Sequence, residues 1–450
     1  MDRKIWFYFA SSVSVITFFI LQFYVKRFET ISLILCFITL SLTYFITIKT
    51  SLNIKISTII IIGCLLRSTF FFHTPTLSED VYRYIWDGKL QQHQIDVFAA
   101  TPTMMKENNV NDFPEEEKLY PKLNSKSYFS VYPPLAQVVF YVISLPSDET
   151  FTNNIFLLRF LILLFELIGL IFLIQILKTH SSINSLLILY WFNPLVLVEG
   201  IGNLHLEILI APLLFFALST LKQNRFLCSS IIWASAFLIK LNPAVMLPAL
   251  LSYINLKRLI AFSITFISIV IFFFLIYYDP TLVLGFQKSL GYYFSQFEFN
   301  ASVYYLLRWI GYQLVGYNTI SFLGPLLGVL TLLIILGHSI WKRFEMINQP
   351  FERIVENMQF YFFLYLTFST TIHPWYVIPL LCLSVITHKI YPIVWSLLIS
   401  LTYAGYSSNG FEENYWIVAV EYVIVWFVFL FEEKYDLKSY LFPKFANHIN

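Results

Sequence analysis

The sequence predicts an all-α protein that crosses a membrane many times, and three observations carry that prediction. Of 450 residues, 58% are hydrophobic and 12% are charged, with a mean hydropathy of +0.69. A chain of this composition has more apolar surface than one water-soluble core can hide. Apolar stretches near the ~20 residues that a helix needs to cross hydrocarbon follow one another almost from end to end, and the 47 Phe and 29 Tyr suit lipid-facing and interfacial positions.

The chain starts with Met1-Asp2-Arg3-Lys4 and an apolar run from Ile5 to Tyr24. That run is long and lacks a small-residue cleavage site, so it reads as a retained first span. Runs over Ile31 to Ile48 and Ile56 to Phe72 come next, followed by a polar stretch from His73 to about Tyr132, the only sizeable soluble segment. Within it, Met104 to Lys126 is rich in Lys, Glu and Asn and reads as a mobile excursion. Apolar runs then resume nearly to the C-terminus. No internal repeat is evident, and the reading is one domain over 1–450 with an outer loop at 73–132. The four cysteines, Cys36, Cys64, Cys228 and Cys382, sit inside apolar runs without a CxxC, so neither disulfides nor a zinc site is expected. A net charge of +2 with scattered basic residues has no nucleic-acid footprint.

Basic residues in short loops mark the cytoplasmic side. Placing Arg3/Lys4, Lys49/Lys55, Lys178, Lys222/Arg225, Lys257/Arg258, Lys342/Arg343, Lys389 and Lys434/Lys438 there puts both termini inside. The result is about 14 spans, with 133–146 and 301–316 as short re-entrant or interfacial segments. Lys26/Arg27 alone falls on the wrong side. Four polar constellations then share the outer face: the 73–132 loop, Glu199 to Glu207, the segment around His373, and Ser407 to Tyr415.

In the first of these, Thr76 to Leu90 reads as a helix, with Thr76 as N-cap and Glu79 three residues on, the spacing of a capping box. At about 100° per residue, Asp80, Arg83 and Asp87 fall within an arc of about 60°, with Tyr84 beside them. A carboxylate at a helix N-terminus near a cation stays ionised, which suits a general base that takes a proton from a hydroxyl. The alternative is an amphipathic juxtamembrane helix whose charged stripe faces water, anchored by Tyr82 and Trp86.

The second constellation runs from Trp191 to Glu207, where glycines and ionisable groups between apolar runs need a polar cavity. His205 with Glu199 and Glu207 reads either as metal ligands or as an outer turn that binds a polar ligand; no HExxH order is present. Lys240, followed by Asn242-Pro243, sits at the outer end of a span against the charge trend and needs a phosphate or carboxylate partner unless it snorkels. His373-Pro374-Trp375-Tyr376 opens a span at the outer face, and Arg308 lies among aromatics in Phe299 to Trp309. Each fits a phosphate site or a simple interfacial anchor.

Taken together, Asp80 to Gly88 (DVYRYIWDG), Tyr132-Pro133-Pro134-Leu135, Asn193-Pro194-Leu195-Val196 with His205, Lys240 before a proline, Phe299-Asn300 to Arg308-Trp309, and His373-Pro374-Trp375-Tyr376 resemble the multispanning bacterial mannosyltransferases of the GT-C superfamily, over about residues 60 to 430. Two features depart from that pattern. The acidic loop follows the third apolar run rather than the first, so two extra N-terminal helices precede it, and the Met104 to Lys126 insertion has no counterpart.

The resemblance implies a GT-C-like helical bundle and a glycosyltransferase that moves a sugar, mannose foremost, from a polyprenyl phosphate to a lipid or glycan acceptor hydroxyl with inversion. It implies Asp80 as catalytic base and Arg83, Lys240, Arg308 and His373 as candidates for the donor phosphate, where a cation stabilises the leaving charge. The full substrate-binding expectation is Glu79, Arg83, Tyr84, Asp87, His205, Glu207, Lys240, Arg308 and His373. No cofactor is expected, a divalent-metal requirement stays open, and the expected partners are the donor, the acceptor and membrane lipids, without nucleic acid. The expected location is the plasma (inner) membrane with the site facing the periplasm or outside. The alternative function is a transporter or flippase of lipid-linked sugars.

Overall fold

The computed structural model describes residues 2–108, 113–147, 149–277, 285, 287–288, 291, 295–345, 349–432 and 434–435. Lys438 and residues 109–112 of the polar excursion lie outside them. Two long helices, α1 (Arg3–Tyr24) and α2 (Thr30–Thr50), form an N-terminal hairpin. α1 begins where the Asp2 carboxylate accepts from the Lys4 N–H at 3.0 Å. α3 (Ile56–Ser68) packs on α1, and the polar stretch then folds as α4 (Asp80–Gln92), α5 (Pro102–Glu107) and α6 (Glu116–Leu119). α7 (Pro134–Ser144) lies along α4. A Cβ at Gly88 would come within 2.1 Å of the Phe140 carbonyl oxygen, so only glycine permits this approach.

The rest of the chain forms α8 (Thr152–Leu177), α9 (Ile183–Trp191), α10 (Glu207–Lys222), α11 (Phe226–Ile239), α12 (Leu256–Ile276), α13 (Val303–Val315), α14 (Ile320–Glu345), α15 (Phe351–Phe368), α16 (Ile378–Thr387), α17 (Tyr391–Leu398) and α18 (Tyr415–Phe431). The protein is thus an all-α polytopic membrane protein. Among the described residues, five helices are long and apolar enough to cross a membrane, or six if Ile183–Trp191 and Val196–Gly202, bent by 50°, count as one. The other apolar runs that the sequence reads as spans appear largely as helices of 10–17 residues. Prolines such as Pro194, Pro243 and Pro374 break them, and protein neighbours satisfy the broken backbone. The segments expected to be re-entrant or interfacial are the short helices α7 and α13.

Two further features separate pattern from structure. α12 keeps a single side chain, Phe262, buried, as suits a helix facing lipid. The excursion expected to be mobile is instead packed where it is described. Phe113 meets Trp86 edge-on at 4.6 Å, Leu119 is fully buried, and the Lys126 carbonyl accepts from the Thr103 N–H at 3.0 Å.

The bundle interior is tied by a buried ion pair. Arg67 on α3 donates to both oxygens of Glu166 on α8 at 2.8 and 2.7 Å, and to the Trp191 carbonyl at 2.8 Å. Tyr190 donates to the same carboxylate at 2.8 Å, and the Trp191 ring lies 3.3 Å from the guanidinium carbon. Neither charged side chain is exposed, so removing one partner strands the other in a low-dielectric interior. Glu166→Leu is therefore expected to lower stability by about 3–5 kcal/mol, and the Arg67→Met/Glu166→Leu double variant by much less. Unfolding of the detergent-purified protein in a denaturing-detergent titration checks this, and a double variant as unstable as the single one would count against it.

Candidate active site

The site is built from two irregular turns that face each other. In the first, Asn193 accepts from the Leu195 N–H through its side chain at 2.9 Å, and the backbone then widens into a π-turn over Val196–Gly202. Its closing bond runs from the Asn203 N–H to the Val198 carbonyl at 2.8 Å. Leu204 adopts the left-handed conformation (φ 67°), which a bulky side chain resists, so the chain is strained where it leaves the π-turn. The turn sets Glu199 beside His205, with the His205 Nε2 3.4 Å from the Glu199 carboxylate. Glu199 also accepts from Asn203 at 3.0 Å and from the Tyr403 hydroxyl at 2.6 Å.

The second turn precedes α4. The helix starts at Asp80 rather than Thr76, and the expected capping box is absent: Ser78 Oγ accepts from the Asp80 N–H at 3.3 Å, whereas Glu79 makes no capping bond and pairs with Arg27 at 3.0 Å. The late start decides this: with the helix beginning at Asp80, Glu79 no longer holds the third helical position from which a capping-box carboxylate reaches back, and its side chain meets Arg27 instead. Asp80 Oδ1 accepts from Asn124 at 2.8 Å, and its Oδ2 lies 3.4 Å from His205 Nδ1.

A line of groups therefore runs Asp80, His205, Glu199, Tyr403, and its two ends, Asp80 and Tyr403, line a cavity of about 520 Å³. Burial pushes the Asp80 carboxyl up, but His205 and the Asn124 amide outweigh it and hold it at about 2. Burial likewise pushes His205 down, yet the carboxylates of Asp80 and Glu199 raise it to about 9, so it is the imidazolium at neutral pH.

Trp375 stacks on His205 with ring centroids 3.4 Å apart, and also stacks with His373 at 4.5 Å. His373 in turn meets Phe299 at 4.6 Å, in register because a short parallel bridge joins Phe299 to Thr371. Trp375, His373 and Phe299 all line the cavity. Burial, helped by the charges of Lys240 and His205, drives His373 down to about 3, so it faces the cavity as a neutral ring.

Of the residues singled out in the sequence, Asp80, Glu79, Arg83 and His373 line the cavity, and His205 stands directly behind Asp80. The others lie outside its lining. Tyr84 is buried, stacked on Phe140 at 4.6 Å in the contact between α4 and α7. Asp87 is buried and accepts from Arg83, Ser130 and Gln137 at 2.7, 2.6 and 3.0 Å, while Arg83 also donates to the Ser125 and Tyr128 carbonyls at 3.1 and 2.9 Å. This pair pins the 125–130 segment to α4 as a cavity wall. Glu207 opens α10 and pairs with Lys240, whose ammonium also sits 4.3 Å from the Tyr376 ring. The partner that Lys240 demanded is thus a carboxylate of the protein. Arg308 pairs with Glu298 between Tyr305 and Tyr415, at 4.5 and 5.2 Å. With Glu207 turned to Lys240, the metal reading of Glu199, His205 and Glu207 has no geometry, and the described residues contain no group of three or more His, Cys, Asp or Glu placed to hold a metal ion.

Sequence reasoning missed Arg27, Asn124, Lys288 and Tyr403, which also line the cavity. Arg27 did leave a signal, as half of the one basic pair on the wrong side of the topology. Asn124 and Tyr403 left none, because a loop amide or an apolar-run tyrosine has no periodicity to betray it.

A family model described as alpha-(1->6)-mannopyranosyltransferase, N-terminal domain, matches residues 11–255, more than half of the chain and all of the segment that carries Asp80, Glu199, His205 and Lys240. Neither a curated protein nor a solved structure matches.

The electrostatics carry a pH signature. His205 is raised on folding, so its contribution to stability is complete below its usual 6.5 and is lost as pH rises through about 9. Asp80 is depressed, so its contribution is complete above 3.8 and is lost only as pH falls through about 2. The melting temperature is accordingly expected to fall between pH 6.5 and 9, and to stay flat over that window in His205→Gln; parallel pH profiles for the two proteins, by scanning fluorimetry, would remove the imidazolium from the account.

Proposed function

The chain belongs to the alpha-(1->6)-mannopyranosyltransferase family, a family of mannosyl transfer, and from that premise we propose that it moves mannose from a polyprenyl-phosphate donor to an acceptor hydroxyl in the cavity beside Asp80. The observation that carries this reading is the Asp80 carboxylate, ionised at the first turn of α4, open to the cavity at one end and backed by the His205 imidazolium. The helix N-terminus adds to the preference for negative charge there.

In this mechanism the acceptor hydroxyl donates to Asp80 while its oxygen attacks the anomeric carbon from the face opposite the phosphate. The bond from that carbon to the phosphate oxygen breaks, its electron pair leaves with polyprenyl phosphate, the anomeric configuration inverts, and the hydroxyl proton passes to Asp80. A carboxylate held near 2 is a weak base. It suffices where the anomeric carbon is already cation-like, because the attacking hydroxyl becomes acidic as its new bond forms and proton transfer follows late. His205 acts behind Asp80 as a positioning residue, and Trp375, Phe299 and Tyr406 give the cavity wall an aromatic surface for sugar rings. A volume of about 520 Å³ has room for a donor sugar and an acceptor terminus together.

The charge pattern of the loops supports a cavity on the outer face with both termini cytoplasmic, and the motif resemblance supports a GT-C-type bundle in the plasma (inner) membrane with that face to the periplasm. The test is transfer by the purified protein from polyprenyl-phosphate mannose to mannoside acceptors, with and without chelator. Asp80→Asn is expected to lower kcat by roughly 10²–10⁴ while the protein still inserts and folds, with a lower melting temperature because the Asp80–His205 interaction is lost. Full activity in that variant sinks Asp80 as base, and movement of lipid-linked sugar across vesicles without any transfer favours a transporter.

A further inference from the structure

The cations that the sequence offered for a substrate phosphate are committed elsewhere. Arg83 is held by Asp87 with side-chain exposures of 4% and 0%, Lys240 by Glu207, and Arg308 by Glu298, while His373 is a neutral ring. Opening the Arg83 or the Lys240 pair would strand a buried carboxylate in the protein interior. Among the described residues that line the cavity, two other cations are differently placed.

Lys288 has no carboxylate partner among the described residues; its ammonium lies 5.3 Å from the ring of Phe129, itself part of the cavity wall. Gly285 lies against the 73–132 loop, where a Cβ would come within 2.8 Å of the Phe98 carbonyl oxygen. Arg27 comes from the turn between α1 and α2, spans to the Leu77 carbonyl at 3.1 Å and Glu79 at 3.0 Å, and lies 4.7 Å over the Tyr406 ring. Unlike the buried pairs, Arg27 and Glu79 are 30% and 39% exposed, and a pair in that setting contributes little and is easily exchanged. A guanidinium gains more from a phosphate, whose oxygens match its paired N–H donors.

We propose that Lys288 and Arg27 form the anion subsite of the cavity, with Lys288 holding the phosphate of the lipid donor and Arg27 leaving Glu79 to meet the charge that appears on it as the sugar departs. This rests on the phosphate-donor reading given above. Two cations match the charge balance. The donor is a phosphodiester with one negative charge; when its anomeric C–O bond breaks, the electron pair stays on the phosphate oxygen and the product is a monoester with a second negative charge. Lys288 serves both states, whereas Arg27 serves the second, so it stabilises the transition state more than the ground state. The α1–α2 hairpin that precedes the acidic loop thereby gains a chemical role.

The pair Arg27–Glu79 makes the proposal testable by sign. In full-length protein in nanodiscs, farnesyl phosphate, farnesol and inorganic phosphate serve as probes. Lys288→Met and Arg27→Met are each expected to weaken farnesyl phosphate binding about 10-fold or more, the loss of one charge-assisted contact. Glu79→Gln is expected to tighten it, because it releases Arg27. Farnesol binding should not change in any variant, and inorganic phosphate should compete only at far higher concentration; competition at equal concentration would make the subsite one for free phosphate and overturn the lipid assignment. In transfer assays Arg27→Met should lower kcat with little change in KM. Wild-type affinity for farnesyl phosphate in both cation variants, or weakening by Glu79→Gln, overturns the proposal. If the binding pattern holds while wild-type protein transfers no sugar, the anion subsite stands and the transferase reading falls; if transfer is normal and the pattern is absent, the reverse holds.

Discussion

One guanidinium holds the two halves of the site together. Arg159, on α8 and without exposure, donates to the carbonyls of Ile201 at 3.0 Å and Gly202 at 2.8 Å, and to that of His73. These carbonyls belong to irregular backbone packed among apolar helices, where an unsatisfied polar group is expensive. His73 leads into the turn that carries Asp80, and Gly202 closes the π-turn just before His205. A single side chain therefore ties together the backbone of the two turns that carry the carboxylate and the imidazole.

Charge pairing organises what remains. A cation removed from water needs a partner, and the interior supplies carboxylates for Arg67, Arg83 and Lys240. Arg159 is the exception among these buried cations, neutralised by carbonyl dipoles alone. At the cavity the order inverts. Two carboxylates converge on one imidazole, which keeps Asp80 ionised, and of the cations at the wall Arg83 is locked to Asp87 whereas Arg27 has an exposed partner and Lys288 no carboxylate partner among the described residues. A site that must accept negative charge and release it fits this distribution better than one lined by locked ion pairs, since a locked pair has no capacity left for a substrate.

Part of this was legible beforehand. The span-rich composition and the acidic start of α4 are local properties, and the spacing of Asp80, Arg83 and Asp87 does place them on one side of the helix. Their fates nevertheless diverge: Asp80 opens to the cavity, whereas Asp87 is sealed under Ser130 and Gln137. Helical periodicity reports direction around an axis and says nothing of what stands in that direction. Gly88 shows the same limit, since its necessity comes from the Phe140 backbone of another helix. The capping box failed for an equivalent reason, as the helix starts only at Asp80 and Glu79 meets Arg27, 52 residues away in the chain.

By itself, then, the sequence determined that the protein is a helical membrane protein and that its acidic motif lies at the start of a helix, because hydropathy and helical periodicity act over a few turns of chain. Tertiary structure alone decided which charges are available to a substrate. Lys240 meets Glu207 across 33 residues and Tyr403 meets Glu199 across 204, and such pairings depend on where helices converge, a property that no local pattern encodes.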